Sequence, residues 1–138
     1  MDYARMTGPC GIDCFNCPLY LAQDNEGLRM KLAQNLGISA EKAVCRGCRS
    51  ENGTIPFMDM TEPCNVYQCI EKQGHDFCYE CKEFPCDHLH PYADGASQRP
   101  HNTKVFNLCL IKKMGLESWA ATKAKGVRDT YFKGKFKL

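Results

Sequence analysis

A chain of 138 residues with 43% apolar content has room for one domain and is too short for a barrel or a two-domain enzyme. That apolar fraction includes eleven cysteines, so the remaining core is modest and needs staples. The net charge of +2 is split: from Lys104 onward eight lysines and Arg128 stand against Glu117 and Asp129, a net of +7, which leaves −5 on residues 1–103.

The first feature in chain order is a knuckle, Cys10-x3-Cys14-x2-Cys17, followed by Pro18, which suits the first turn of a helix carrying Leu19 and Leu21. Leu28, Leu32 and Leu36 recur every four residues ahead of Gly37, predicting an amphipathic helix with a glycine stop. Ser39 caps a short turn leading into Cys45-Arg-Gly-Cys48. Residues 49–63, with Asn52-Gly53, Pro56 and Pro63, read as a loop crossing between two metal-binding halves. Cys64 to Gln73 reads as a helix stopped by Gly74, Cys78 to Cys86 as a turn-rich knuckle, and residues 91–100 as a linker. Val105, Phe106, Leu108, Cys109, Leu110, Ile111 and Met114 make a broad apolar stripe that Gly115 ends, and within it Cys109 reads as a buried structural thiol. Leu116, Trp119 and Ala120 begin a second helix that stops near Gly126, and Tyr131 to Leu138 reads as an edge strand or a frayed end. The expected fold is a small, mainly α, irregular, metal-stapled cysteine-rich domain with a C-terminal helical pair. It is a single domain over 1–138, with the metal-binding cysteine region over 1–90 and a basic helical segment over 101–138.

Ten of the eleven cysteines lie between Cys10 and Cys86, most in tight spacings that turn two sulfurs toward one point. The longest apolar run, Val105 to Ile111, is far too short to span a bilayer, and residues 1–10 hold no stretch of signal-peptide length. A cytoplasmic protein without membrane association is therefore expected, in a compartment that keeps thiols reduced and favours metal over disulfides. The candidate ligands are Cys10, Cys14, Cys17, Cys45, Cys48, Cys64, Cys69, Cys78, Cys81 and Cys86. Two tetrahedral all-thiolate sites, hence about two zinc ions, use eight of them. The economical partition puts Cys14, Cys17, Cys45 and Cys48 in one site and draws the other from Cys64, Cys69, Cys78, Cys81 and Cys86, with Cys10 as an extra or alternative ligand. A 4 + 3 + 3 arrangement would recruit two of His75, His88, His90 and His101, but no His-x3-5-His pair occurs.

Cys10-x3-Cys14-x2-Cys17 alone matches the signature of radical S-adenosylmethionine enzymes, whose long partial barrel this chain cannot supply. An iron-sulfur cluster for electron transfer or sensing is the alternative cofactor, although ferredoxin spacings are absent. Cys45 and Cys48 lack the strand and helix of a thioredoxin-type dithiol. Asp13, Glu80, Glu83 and Asp87 flank the cysteines and read as solvated or as hydrogen-bonding to ligands. No nucleophile, base and orienting group assemble, so no catalytic residue is named and an interaction role is favoured over catalysis. The lysines of the tail are spread out, which favours a solvated face or a tail docked on the acidic front half over a nucleic-acid surface, and no other partner is identified. Chelation is expected to unfold the cysteine region while helices near Val105 to Trp119 partly persist.

Cys10-Gly-Ile-Asp-Cys-Phe-Asn-Cys-Pro-Leu-Tyr-Leu21, Cys45-Arg-Gly-Cys-Arg-Ser50, Cys69 with Glu71-Lys-Gln-Gly74, and Cys78-Tyr-Glu-Cys-Lys-Glu-Phe-Pro-Cys86 together resemble the domain of unknown function family 3795, small cysteine-rich proteins of bacteria and archaea. Asn107-Leu108, Ile111-Lys112, Gly115-Leu116-Glu117 and Trp119 resemble the family's final helical segment. The resemblance implies zinc binding and no particular activity. Many relatives carry a further cysteine where this chain has Thr61, and some end in an extra Cys-x2-Cys where this one ends in Phe136-Lys-Leu138.

Overall fold

Seven α-helices and six short 3-10 turns, with no β-strand, make up the computed structural model, which describes residues Met1–Leu138. The helices are α1 (Tyr3–Met6), α2 (Pro18–Leu21), α3 (Glu26–Leu36), α4 (Asn65–Gln73), α5 (Lys104–Met114), α6 (Leu116–Thr122) and α7 (Ala124–Lys133). None is long and apolar enough to cross a membrane.

The local signals place most of these. Pro18 opens α2 with Cys17 as its N-cap, because a missing N–H costs nothing in a first turn. Asn25 caps α3 by accepting from the Leu28 amide at 2.9 Å. Gly37 and Gly74 end α3 and α4 in the left-handed region, at φ 65° and 67°, where a side chain would be strained.

Only 25 of 138 residues are buried, and 14 of them form three small apolar clusters rather than one core, so no single apolar centre holds the chain. The first joins Phe15 to Ile111, Trp119, Ala120 and Ala124. Phe15 meets Trp119 edge to face with centroids 5.9 Å apart. The second gathers Val66, Ile70, Phe77, Leu89 and Leu108, and the third Leu19, Ala33, Ala43 and Cys45. Because Leu108 and Ile111 of α5 enter different clusters, α5 ties the N-terminal knuckle to α4.

Buried polar groups complete that tie. Asn107, 1% exposed, donates to the Gly11 carbonyl at 2.9 Å and accepts from the Trp119 indole at 3.3 Å. Gly11 sits at φ 86° against α5, where a Cβ would fall 2.8 Å from the Lys104 carbonyl oxygen and 2.9 Å from Leu108 Cγ. Only glycine fits there. Arg128 donates to both carboxylate oxygens of Asp13, at 2.8 and 2.7 Å, with side-chain exposures of 11% and 2%. The C-terminal helices are thus seated on the front half of the chain across residues 91–100.

Three expectations are corrected here. The C-terminal segment is a run of three helices rather than a pair, because the chain bends at Lys123 and then continues through Gly126 to Lys133. Residues from Tyr131 form neither a strand nor a wholly frayed end, since the helix persists to Lys133. Cys109 is exposed: α5 turns Asn107, Leu108 and Ile111 inward, and Cys109 falls on the opposite face.

Candidate metal centre

The first knuckle folds around short backbone bonds. The Gly8 amide donates to the Ile12 carbonyl at 2.9 Å, the Gly11 amide to Gly8 at 2.8 Å, and the Cys17 amide to Cys14 at 2.8 Å. These bring Cys10, Cys14 and Cys17 around one bend. The Cys45 amide donates to the Leu19 carbonyl at 3.0 Å, which lays the second pair beside the first. Gly47, at φ 83°, turns Cys45-Arg-Gly-Cys48 back on itself, and a Cβ there would stand 3.8 Å from Cys14 Cβ. A Cβ on Gly8 would stand 3.3 Å from Cys10 Sγ and 3.7 Å from Cys48 Sγ. Two glycines therefore keep clear the space in which these sulfurs meet.

The crossing loop delivers the next cysteine. The Gly53 amide donates to the Cys48 carbonyl at 2.7 Å, and the Cys64 amide to the Gly53 carbonyl at 3.0 Å. Cys64 then caps α4, its sulfur accepting from the Tyr67 amide at 3.4 Å.

A second neighbourhood lies against α4, beside Val66, Ile70 and Gln73. Cys69, Cys78, Cys81 and Cys86 line one cavity of about 30 Å³, together with His75 and His88. That is room for one or two water-sized occupants. The Cys78 amide donates to the Pro9 carbonyl at 3.0 Å, so the two neighbourhoods touch through residues 9 and 10. His75 Nδ1 lies 3.8 Å from Glu80 Oε2. His90 and His101 hydrogen-bond instead to the Pro91 and Tyr92 carbonyls, at 2.7 and 2.8 Å, and do not reach the cavity.

Electrostatics record the crowding. Burial, then the neighbouring Cys48, Cys10, Cys45 and Cys17, pushes the Cys14 thiol well above its ordinary value. Burial, then Cys10 and Cys64, pushes Cys48 up to about 12, and burial, then Cys10, Cys86, Cys69 and Cys81, does the same to Cys78. Burial also raises Cys10, opposed by the Lys104 ammonium and the Ile12 amide, and Cys45, opposed by the Gly47 amide. So many sulfurs in one place repel as thiolates. A cation among them removes that penalty, and ten soft donors suit zinc or iron rather than magnesium or calcium.

The sulfurs stand as neighbours rather than as a closed ligand set: no three His, Cys, Asp or Glu side chains form a group tight enough to hold an ion as placed. The donor chemistry and the space that Gly8 and Gly47 keep clear fit a thiophilic metal. Cys86, which borders the second cavity, is exposed.

Several partners of this site were not legible in the sequence. Asp13, expected to be solvated or to bond a ligand, is buried and paired with Arg128. Arg49 donates to the Thr7 carbonyl at 2.8 Å and to that of Asp76, with its guanidinium 5.0 Å from the Phe77 ring centre. It thereby clamps the first knuckle to the third beside Cys48. Its place directly after Cys48 is the only local signal it leaves.

The model of a family described as Protein of unknown function (DUF3795) matches residues 6–91, which contain all ten clustered cysteines. Neither a curated protein nor a solved structure matches the chain. With more than half of its length inside that match, the chain belongs to this family.

Proposed function

We propose that the protein is a zinc-stapled interaction module, whose thiolates hold at least two metal ions in closed all-sulfur sites. The observation that carries this reading is the gathering of Cys69, Cys78, Cys81 and Cys86 around one cavity of about 30 Å³, with Cys10 beside Cys78 at its edge. Four cysteines are the donor set of a tetrahedral structural ion, and these four line the space together with His75 and His88. A closed site leaves no position for substrate, so its contribution is to shape rather than to turnover. Thiolate ligands of this kind belong in a reducing compartment, the cytoplasm.

An interaction role draws support from the C-terminal helices. An open groove between α5 and α7 of about 610 Å³ is bordered by Phe106, Leu110, Val127 and Tyr131, and Phe106 is 59% exposed. Asn102, Thr103, Thr122, Lys123 and Thr130 line the same groove, which gives a partner polar as well as apolar groups to meet.

Substitution of single cysteines tests the metal reading. Cys81→Ser leaves three good donors and should remove about one ion per chain, measured by elemental analysis of the purified protein. Cys109→Ser, on an exposed face, should keep full metal content and change stability by less than about 0.5 kcal/mol. Equal metal content in the wild type and Cys81→Ser would remove these four cysteines from the ligand set.

A further inference from the structure

The groove of about 610 Å³ between α5 and α7 is walled by two helical rows. Thr103, Phe106 and Leu110 follow one another at three- and four-residue spacing along α5 and the turn before it. Lys123, Val127 and Thr130 do the same along α7. Each row covers about 10 Å, two turns of helix. Three polar side chains of the lining spend their donors inside the fold: Asn102 on the Tyr92 carbonyl at 2.8 Å, Thr103 on that of Pro100 at 2.7 Å and Thr122 on that of Ser118 at 2.7 Å. Lys123 is the one charged residue of the lining, and no carboxylate shares it.

The charge around the groove has the same sign and is largely unspent. Arg128 is the single cation from residue 104 onward that pairs with a carboxylate of the front half, while Lys125 and Lys133 pair with Asp129 inside α7. Lys104, Lys112, Lys113, Lys123, Lys135 and Lys137 join no ion pair. Lys113 follows Phe106 by two turns on α5, and Lys133 follows Gly126 by two turns on α7, so lysines flank both walls. We propose that this groove docks an acidic amphipathic helix of a partner protein, whose apolar face covers Phe106, Leu110 and Val127 and whose carboxylates meet Lys123 and the flanking lysines. This partner class rests on the interaction role given above. A helix suits a trough of this kind because its apolar side chains recur at the same spacing as the two walls, and its own backbone is already hydrogen-bonded. Phe106, aromatic and 59% exposed, is the expected anchor. Acidic flanks complement the lysines, and basic ones would be repelled by them.

The probe is a fluorescent peptide of about 18 residues, with leucine at every third or fourth position and mainly glutamate between. By fluorescence anisotropy the full chain, as purified, should bind it saturably, with affinity that falls as salt rises. Two control peptides, one with lysine in place of glutamate and one of the same composition with its leucines dispersed round the helix, should each bind at least about tenfold more weakly. Phe106→Ala should weaken binding of the acidic peptide about tenfold. Lys123→Glu should weaken it and remove part of the salt dependence. Both side chains are exposed, so the two variants should melt at the wild-type temperature. No saturable binding of the acidic peptide, equal binding of either control, or unchanged affinity in Phe106→Ala would overturn the acidic helix. RNA binding or self-association that Phe106→Ala abolishes, in a chain that ignores the acidic peptide, would overturn it while leaving the interaction role standing. A chain that binds no peptide, no RNA and no second copy would overturn both.

Discussion

A strong chelator should unfold the whole chain, C-terminal helices included. A structural zinc ion contributes on the order of 10–16 kcal/mol of apparent binding energy, about as much as or more than the roughly 5–15 kcal/mol that an ordinary domain has in total. The apolar alternative is weak here, with 14 buried residues divided among three clusters. Composition alone lets the helices near Val105 to Trp119 persist without metal. Their packing argues otherwise: Trp119 rests on Phe15, Asn107 on the Gly11 carbonyl, and Arg128 on Asp13, all in or beside the first knuckle. Hydrogen exchange should therefore show the amides of α5 and α6 losing protection together with those around Cys14 and Cys45. Retained protection of α5 and α6 after complete metal removal would mean that the knuckle does not hold them.

Arg128→Met should destabilise the protein by about 3–5 kcal/mol, because it strands a carboxylate that is 2% exposed. Asp13 keeps one other side-chain partner, the Asn16 amide at 3.0 Å, which cannot neutralise its charge. The double variant Asp13→Leu with Arg128→Met should recover much of the loss, since replacing both members of a buried pair with apolar groups is often close to neutral. Denaturant midpoints at constant metal content measure both. A loss below about 1 kcal/mol in Arg128→Met would indicate that water reaches the pair. Since Asp13 lies between Cys10 and Cys14, the same variant reports how firmly α7 seats the first knuckle.

What could be read in advance follows the range of the interactions involved. The ends of α3 and α4 were legible because Gly37 and Gly74 act within one turn of the residues they stop. The ten clustered cysteines were legible because each knuckle is local. Of the five cysteines grouped together by spacing, four line one cavity, while Cys64 does not border it. Its place depends on the Gly53 amide and carbonyl, which carry Cys64 back to Cys48. The inward face of α5 was misread because Val105, Phe106, Leu108, Cys109, Leu110 and Ile111 surround the helix, so periodicity picks out no single side. The choice is made by Asn107, whose partner Gly11 lies 96 positions away. Gly126 likewise reads as a stop, yet α7 runs through it and carries Arg128 to a partner 115 positions distant. Tertiary contacts overrode a weak local preference in both cases.

X-ray absorption at the zinc edge, with elemental analysis of protein purified without oxygen, tests the central claim most directly. The account predicts at least two zinc ions per chain in a shell of four sulfurs at about 2.3 Å, with no nitrogen or oxygen donor. Stoichiometric iron with inorganic sulfide, or a zinc shell containing oxygen, would contradict it.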